Sequence, residues 1–266
     1  MRNSIVVDFW LFSAVIFGIL LSYSDALSYL EPIIPPDHLL KRIPVRKAAI
    51  PCDEERFRKC QISFNKRLNI SLEDIWTDYN ALVNYTDTIL HRGVDNGLLT
   101  LCNARLLLYQ CLGATYPACI SRFRFLRQGF SQRQAVGFIE VFKELEFMCT
   151  GGILQSINQW DCIKVYKKQS DEMYNKCLEQ YHENIESSPN EVCRAALSMA
   201  LCARMPYNFH CGNDVGWWEC ERVRIALDID SYCPTMNCFY QLAEQEAIFE
   251  QKNKLKQDNP YFMPAG

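Results

Sequence analysis

The sequence predicts an all-α fold: a multi-helix bundle riveted by disulfides, preceded by a signal peptide and a Pro-rich linker. Three observations carry this. No segment longer than a few residues alternates apolar and polar in the manner of a half-buried strand. All fourteen cysteines lie at Cys52 or later, beyond a leader-like N-terminus, and their number is even; outside the cell such a set reads as a disulfide framework. Cys193, Cys202, Cys211 and Cys220 follow one another at intervals of nine residues. Nine steps along an α-helix turn roughly 900° and rise about 13.5 Å, whereas bonded cysteines need Cα atoms within roughly 7 Å. Two such cysteines on one intact helix cannot pair with each other, so each must reach a different neighbour.

Residues 1–26 read as a signal peptide. Arg2 supplies the positive end, Phe9 to Leu21 is an apolar run of thirteen residues, and Ser24-Asp25-Ala26 places small residues where signal peptidase reads. The run is short for a spanning helix, which needs about 20 residues; an uncleaved anchor is the alternative. No second apolar span follows, and the C-terminal DNPYFMPAG has neither a hydrophobic tail nor a retention tetrapeptide. The expectation is a secreted, extracellular protein with no stable membrane span.

Residues 27–51 carry Pro32, Pro35, Pro36, Pro44 and Pro51 and are expected to be an extended linker. Lys41-Arg42 and Arg46-Lys47 make it either a propeptide cut at a dibasic site or a solvated basic tether.

Residues 52–240 are the cysteine-rich helical domain. Asp53, Glu54 and Glu55 suit the N-terminus of a helix running to about Asn69, with Phe57, Ile62, Phe64 and Leu68 as its apolar positions. Ser71 is placed to cap a second helix from Leu72 to about Leu90, with Asp74 at the third position. A third helix covers Leu98 to Leu112 with Cys102 and Cys111 nine apart, and Gly113 and Pro117 end it before Cys119. Ser131 caps the strongest helix, SQRQAVGFIEVFKELEFMCTGG, whose wide apolar face suits a central position; Gly151-Gly152 closes it. A helical stretch through Cys162 and Cys177 reaches a polar turn at Ser187-Ser188-Pro189. Asn190 then caps a helix that Pro206 stops, and Asp214 caps the next, which carries Trp217 and Trp218. Cys233-Pro234 marks a further break, and residues 241–266 form a polar helix, supported by Glu250 and Lys254 at i, i+4, and a tail. LCNARLLLYQCL and VCRAALSMALCA both read as a cysteine, alanine and leucines, then a second cysteine nine on. That pattern is either the trace of an internal duplication or a spacing that recurs in any riveted helix.

The chemistry expected is sparse. The disulfide set is Cys52, Cys60, Cys102, Cys111, Cys119, Cys149, Cys162, Cys177, Cys193, Cys202, Cys211, Cys220, Cys233 and Cys238, and spacing alone leaves its connectivity open. There is no C-x-x-C, so neither a zinc ribbon nor a redox pair is supported. Asn69-Ile70-Ser71 and Asn84-Tyr85-Thr86 are N-glycosylation acceptors. The four histidines, His38, His91, His182 and His210, fall in no hydrolase or zinc motif, and no Gly-rich phosphate loop occurs. No catalytic, cofactor or metal residue is expected. A net charge of −3 gives no electrostatic case for nucleic acid. Trp217-Trp218 is either an exposed docking anchor or buried packing.

EFMCTGGILQSINQWDC, HCGNDVGWWEC and ERVRIALDIDSYC together resemble the cysteine-spaced helices of a nematode family of secreted cysteine-rich domains of unknown function, one of which occurs in chondroitin proteoglycan core proteins. The likeness spans about Cys52 to Cys238. It implies a secreted protein, in some relatives a matrix or eggshell component, with no catalytic residue to carry over. Chondroitin attaches at Ser-Gly, and this chain has no Ser-Gly dipeptide. The leading expectation is a non-enzymatic interaction or extracellular-matrix protein. The alternatives are a small-ligand or lipid carrier and a hydrolase with a dispersed site.

Overall fold

The protein is described from a computed structural model, which covers residues 29–30, 32–71, 74–169 and 171–239. The leader at 1–26 and the polar helix at 241–266 lie outside them. Among the described residues there is no strand, and the chain is helix after helix: α1 Asp37–Leu40, α2 Glu54–Leu68, α3 Tyr79–Leu90, α4 Leu99–Leu112, α5 Tyr116–Cys119, α6 Arg122–Arg127, α7 Gln132–Cys149, α8 Ile153–Asn158, α9 Trp160–Gln169, α10 Asp171–Ser187, α11 Val192–Cys211 and α12 Asn213–Leu227. No helix among them is long and apolar enough to cross a membrane.

Local chemistry explains most boundaries. Asp53 Oδ1 accepts from the Arg56 amide at 3.0 Å and starts α2, with Glu54 and Glu55 in the first turn, where they meet the positive end of the helix dipole. Asn69 ends α2 in the left-handed conformation, φ 55°. Ser131 Oγ caps α7 by accepting from the Gln134 amide. Helix α7 is central: it packs against α3, α4, α6, α8 and α12, and twelve of its residues are buried.

All fourteen cysteines are closed in seven pairs, and none is free. In order of first partner they are Cys52–Cys119, Cys60–Cys111, Cys102–Cys149, Cys162–Cys211, Cys177–Cys202, Cys193–Cys233 and Cys220–Cys238. The nine-residue pairs behave as helical geometry requires. On α4, Cys102 reaches back of α7 while Cys111 reaches α2. On α11, Cys193 reaches the segment after α12 while Cys202 reaches α10. The first six cysteines pair first to fifth, second to fourth and third to sixth. Cys162, Cys177, Cys193, Cys202, Cys211 and Cys233 pair in that same order, with Cys220–Cys238 added.

Several expectations are corrected. The Pro-rich stretch is no tether. Leu30, Ile34, Leu40 and Ile43 are buried in the larger core cluster, and Ile33 and Leu39 in the smaller one, so it straps the two cores together. Its prolines exclude long helix but not burial, because extended backbone can lie along a core with its polar groups satisfied by side chains. Arg122 does much of this: Nη2 donates to the Leu40 carbonyl, and Nη1 to the Ile43 carbonyl at 3.3 Å. The Tyr29 amide donates to Asp87 Oδ1 at 2.7 Å. Ser71 does not start a helix through to Leu90; a 3-10 turn, Asp74–Trp76, intervenes, and Asp78 caps α3 through the Asn80 amide. Ile62 is exposed, and Cys60 takes the fourth core position of α2.

Pro206 does not stop α11, which continues to Cys211. An internal proline costs about 3 kcal/mol. Here the turn that lost its hydrogen bond is held on either side by Cys202–Cys177 and Cys211–Cys162, with Tyr207 buried between. The break falls instead at Gly212, φ +96°, so Gly212 rather than Asp214 caps α12. Asn190 is no cap either; it lies in a 3-10 turn, Pro189–Glu191. Gly152 closes α7 as expected, its amide donating to the Phe147 carbonyl at 2.8 Å, but it does so without the left-handed conformation, at φ −101°. A Cβ there would stand 2.7 Å from Trp218 Cδ1, so glycine is needed for that close approach. Trp218 is buried, with Nε1 donating to Ser156 Oγ at 2.9 Å, while Trp217 is half-buried against Phe147.

Candidate functional site

Two places concentrate polar chemistry: a buried ionic centre between α7 and α12, and a surface groove beside α6. The centre arises because two helices with wide apolar faces still carry charges on them. Arg222 on α12 is 1% exposed and donates to Glu219 at 2.8 Å (Nε) and 2.7 Å (Nη2), while Nη1 reaches Glu144 of α7. Burial drives the Glu144 carboxyl up to about 7 despite that partner. One turn back, Glu140 is also buried, and no side chain hydrogen-bonds either carboxylate oxygen. It borders a space of about 10 Å³ shared with Arg122, Lys143 and Asp230, on the scale of one water molecule. Desolvation, then repulsion from Glu144, hold the Glu140 carboxyl well above its ordinary value of 4.5; Lys143, Arg133 and the Ile33 amide oppose this.

These shifts predict a pH dependence. A carboxyl whose pKa rises on folding binds its proton more tightly in the native state. Its stabilising effect is complete below the unfolded value of 4.5 and is lost as pH climbs through the folded value. Asp230, raised by burial, has the same sign. His182, lowered by burial, has the opposite sign below its ordinary 6.5, but it sits at the half-exposed surface. The melting temperature is therefore expected to rise on acidification from about pH 8 to about pH 5. Glu140→Gln should raise stability at the alkaline end and flatten the slope. Identical pH profiles for this variant and the native chain, measured by calorimetry, would refute that account.

The groove lies where the segment 46–52 passes α6. Cys52–Cys119 pins that segment to α5, and the space left is about 490 Å³, open to solvent. It shares Lys47, Ala48 and Ser121 with a second open groove of about 570 Å³ that runs past Tyr109 and Tyr116. Six cationic side chains and three carboxylates line the two. Each carboxylate is taken: Glu54 by Arg124 at 2.7 Å, Glu146 by Arg105 at 2.9 Å and Asp230 by Arg122 at 3.0 Å. Lys47 Nζ and Arg127 Cζ each stand 5.8 Å from the Phe123 ring centre. In the sequence Arg46-Lys47 reads as either a cleavage signal or a solvated basic tether, and the available sign of the groove is the arginine–phenylalanine alternation in RFRFLR, 122–127.

The remaining surface has two notable features. Leu201, Met205 and Phe209 sit at i, i+4, i+8 on α11 and are 40%, 54% and 85% exposed, an apolar stripe facing solvent. Asn69 and Asn84 are both exposed. Ser71 is exposed too, whereas Thr86 is buried and donates to the Leu82 and Val83 carbonyls. The histidines are not assembled into a site. His91 Nδ1 bonds the Asp87 carbonyl, His210 stacks on Tyr166 at 4.2 Å, His182 lies against Tyr181, and His38 is exposed on α1. Among the described residues no group of three His, Cys, Asp or Glu is placed to hold a metal ion.

No protein-family model, no curated protein and no solved structure matches this chain.

Proposed function

We propose that the protein is a secreted, non-enzymatic interaction or extracellular-matrix protein on a disulfide-stapled helical scaffold. The observation that carries this reading is that every cysteine is paired between separate elements. Such a set persists in oxidising compartments and is rare where glutathione keeps thiols reduced. The leader-like N-terminus and the resemblance to secreted nematode cysteine-rich domains point the same way. The α11 stripe supplies an apolar face for a protein partner, and both large grooves are open, which favours docking over carriage of an enclosed ligand. The scaffold is read as two copies of one six-cysteine unit. Six cysteines allow roughly 15 pairings, and the two halves use the same one, each with a single helix carrying the third and fourth cysteines.

Expression in a eukaryotic secretory host tests this. The chain is expected in the medium, with an unreduced mass fourteen hydrogens below that of the reduced chain and with a glycosidase-sensitive shift that Asn69→Gln diminishes. A chain held in the cell, or one secreted with free thiols, would overturn the reading.

A further inference from the structure

We infer that the groove between segment 46–52 and α6 binds a sulfated glycan chain. This rests on the extracellular reading and names the class of partner that this surface takes. The first argument is charge. The chain as a whole carries −3, yet the groove has a surplus of two positive side chains, Lys47, Arg124 and Arg127 against Glu54, and that carboxylate already has a cation. Lys47 and Arg127 make no ion pair among the described residues, although both lean over the same ring. Two like charges converging without a counter-ion leave a site for an anion. The second argument is independent of the surface count. Arg124 lines the groove and is held rigid there, with Nε and Nη2 on Glu54 and the guanidinium 3.8 Å over the Phe57 ring, while its Nη1 is buried with no acceptor. A guanidinium short of one acceptor adds to the positive potential beside Lys47 and Arg127.

Shape selects the ligand. The groove continues into a second one past Lys47, so it takes a chain rather than a compact molecule. Phe123, at the cationic point, holds the lysine and arginine over its ring, where they meet substituent sulfates. No strand edge is present to bind a peptide backbone among the described residues. Cys52–Cys119 fixes the wall, so little ordering is needed on binding.

The test uses the full secreted chain and a fluorescent heparin-derived octasaccharide, titrated by anisotropy at low and at physiological salt. Binding is expected, weakening as salt screens it. Lys47→Glu with Arg127→Glu should lower affinity by about tenfold or more. Lys66→Glu with Arg67→Glu changes net charge equally on the exposed far end of α2 and should leave affinity within about threefold. Unchanged melting temperatures for both variants establish that they fold. The proposal is overturned if the desulfated octasaccharide binds as well, if both double variants lose affinity alike, or if a poly-glutamate peptide binds and the glycan does not. None of these outcomes touches the secretion and disulfide result, which stands or falls separately on intact mass.

Discussion

A chain in which the leader is joined directly to Ala48 should not accumulate as a folded, secreted protein. The stretch it lacks contributes six buried leucines and isoleucines, Leu30, Ile33, Ile34, Leu39, Leu40 and Ile43, besides the buried Tyr29. Full burial of such a side chain stabilises by about 1.5–3 kcal/mol. Six of them are comparable with the ~5–15 kcal/mol by which a whole domain is stable, even after allowing for compactness of the unfolded chain. Polar losses add to this. Arg122 would surrender the carbonyls of Leu40 and Ile43 and keep Asp230 and Gln132 in a newly wetted site. The expected result is loss of the protein from the medium, with mixed disulfides in any that is recovered. Nicking after Arg42 is a different matter. Lys41 and Arg42 are exposed in the turn between buried Leu40 and Ile43, so a cut there leaves both flanks seated, and the peptide should stay bound through gel filtration. Recovery of the shortened chain with native pairing and an unchanged melting temperature would show that the strap is dispensable, as a propeptide would be.

That strap shows where sequence reading stopped. Its prolines are visible in the sequence and so are its isoleucines and leucines, but proline content constrains only dihedrals and donors and says nothing of solvation. Pro206 misled for the same reason. A local penalty was read as decisive, whereas two flanking disulfides and a buried Tyr207 outweigh it. The helix start is legible at Asp53-Glu54-Glu55 and the cap at Ser131, where the side chains have one clear helix to serve. It was not legible at Ser71, because Asp78 competes for the same helix and the choice depends on Trp76 packing between Phe57 and Phe142. The nine-residue cysteine spacing was informative because it rests on helical periodicity alone. The groove was not legible, since it joins residues near 47 to residues near 125 through a disulfide whose partners the sequence leaves open.

The buried ionic centre gives the other large expectation. Arg222→Met should destabilise by about 3–5 kcal/mol, because it leaves Glu144 and Glu219 facing each other in a dry interface. The effect exceeds that of any exposed pair in the chain, such as Lys59–Glu55, where about 0.3–0.5 kcal/mol is typical of an i, i+4 contact. Denaturant unfolding of the disulfide-intact protein measures it. The diagnostic comparison is the triple variant Arg222→Met, Glu144→Leu, Glu219→Met. Removing all three charges together removes their desolvation cost as well as their attraction, so stability should return to the native level or pass it. A single variant within about 0.5 kcal/mol of the native chain would mean that the cluster does not couple α7 to α12. A triple variant as weak as the single one would mean that shape at this contact, and not charge, is what the site requires. In the expected case the two halves meet through charges that the apolar triple variant can replace, and the cluster fixes which faces of α7 and α12 come together, because a shifted register would leave Arg222 or its glutamates buried alone.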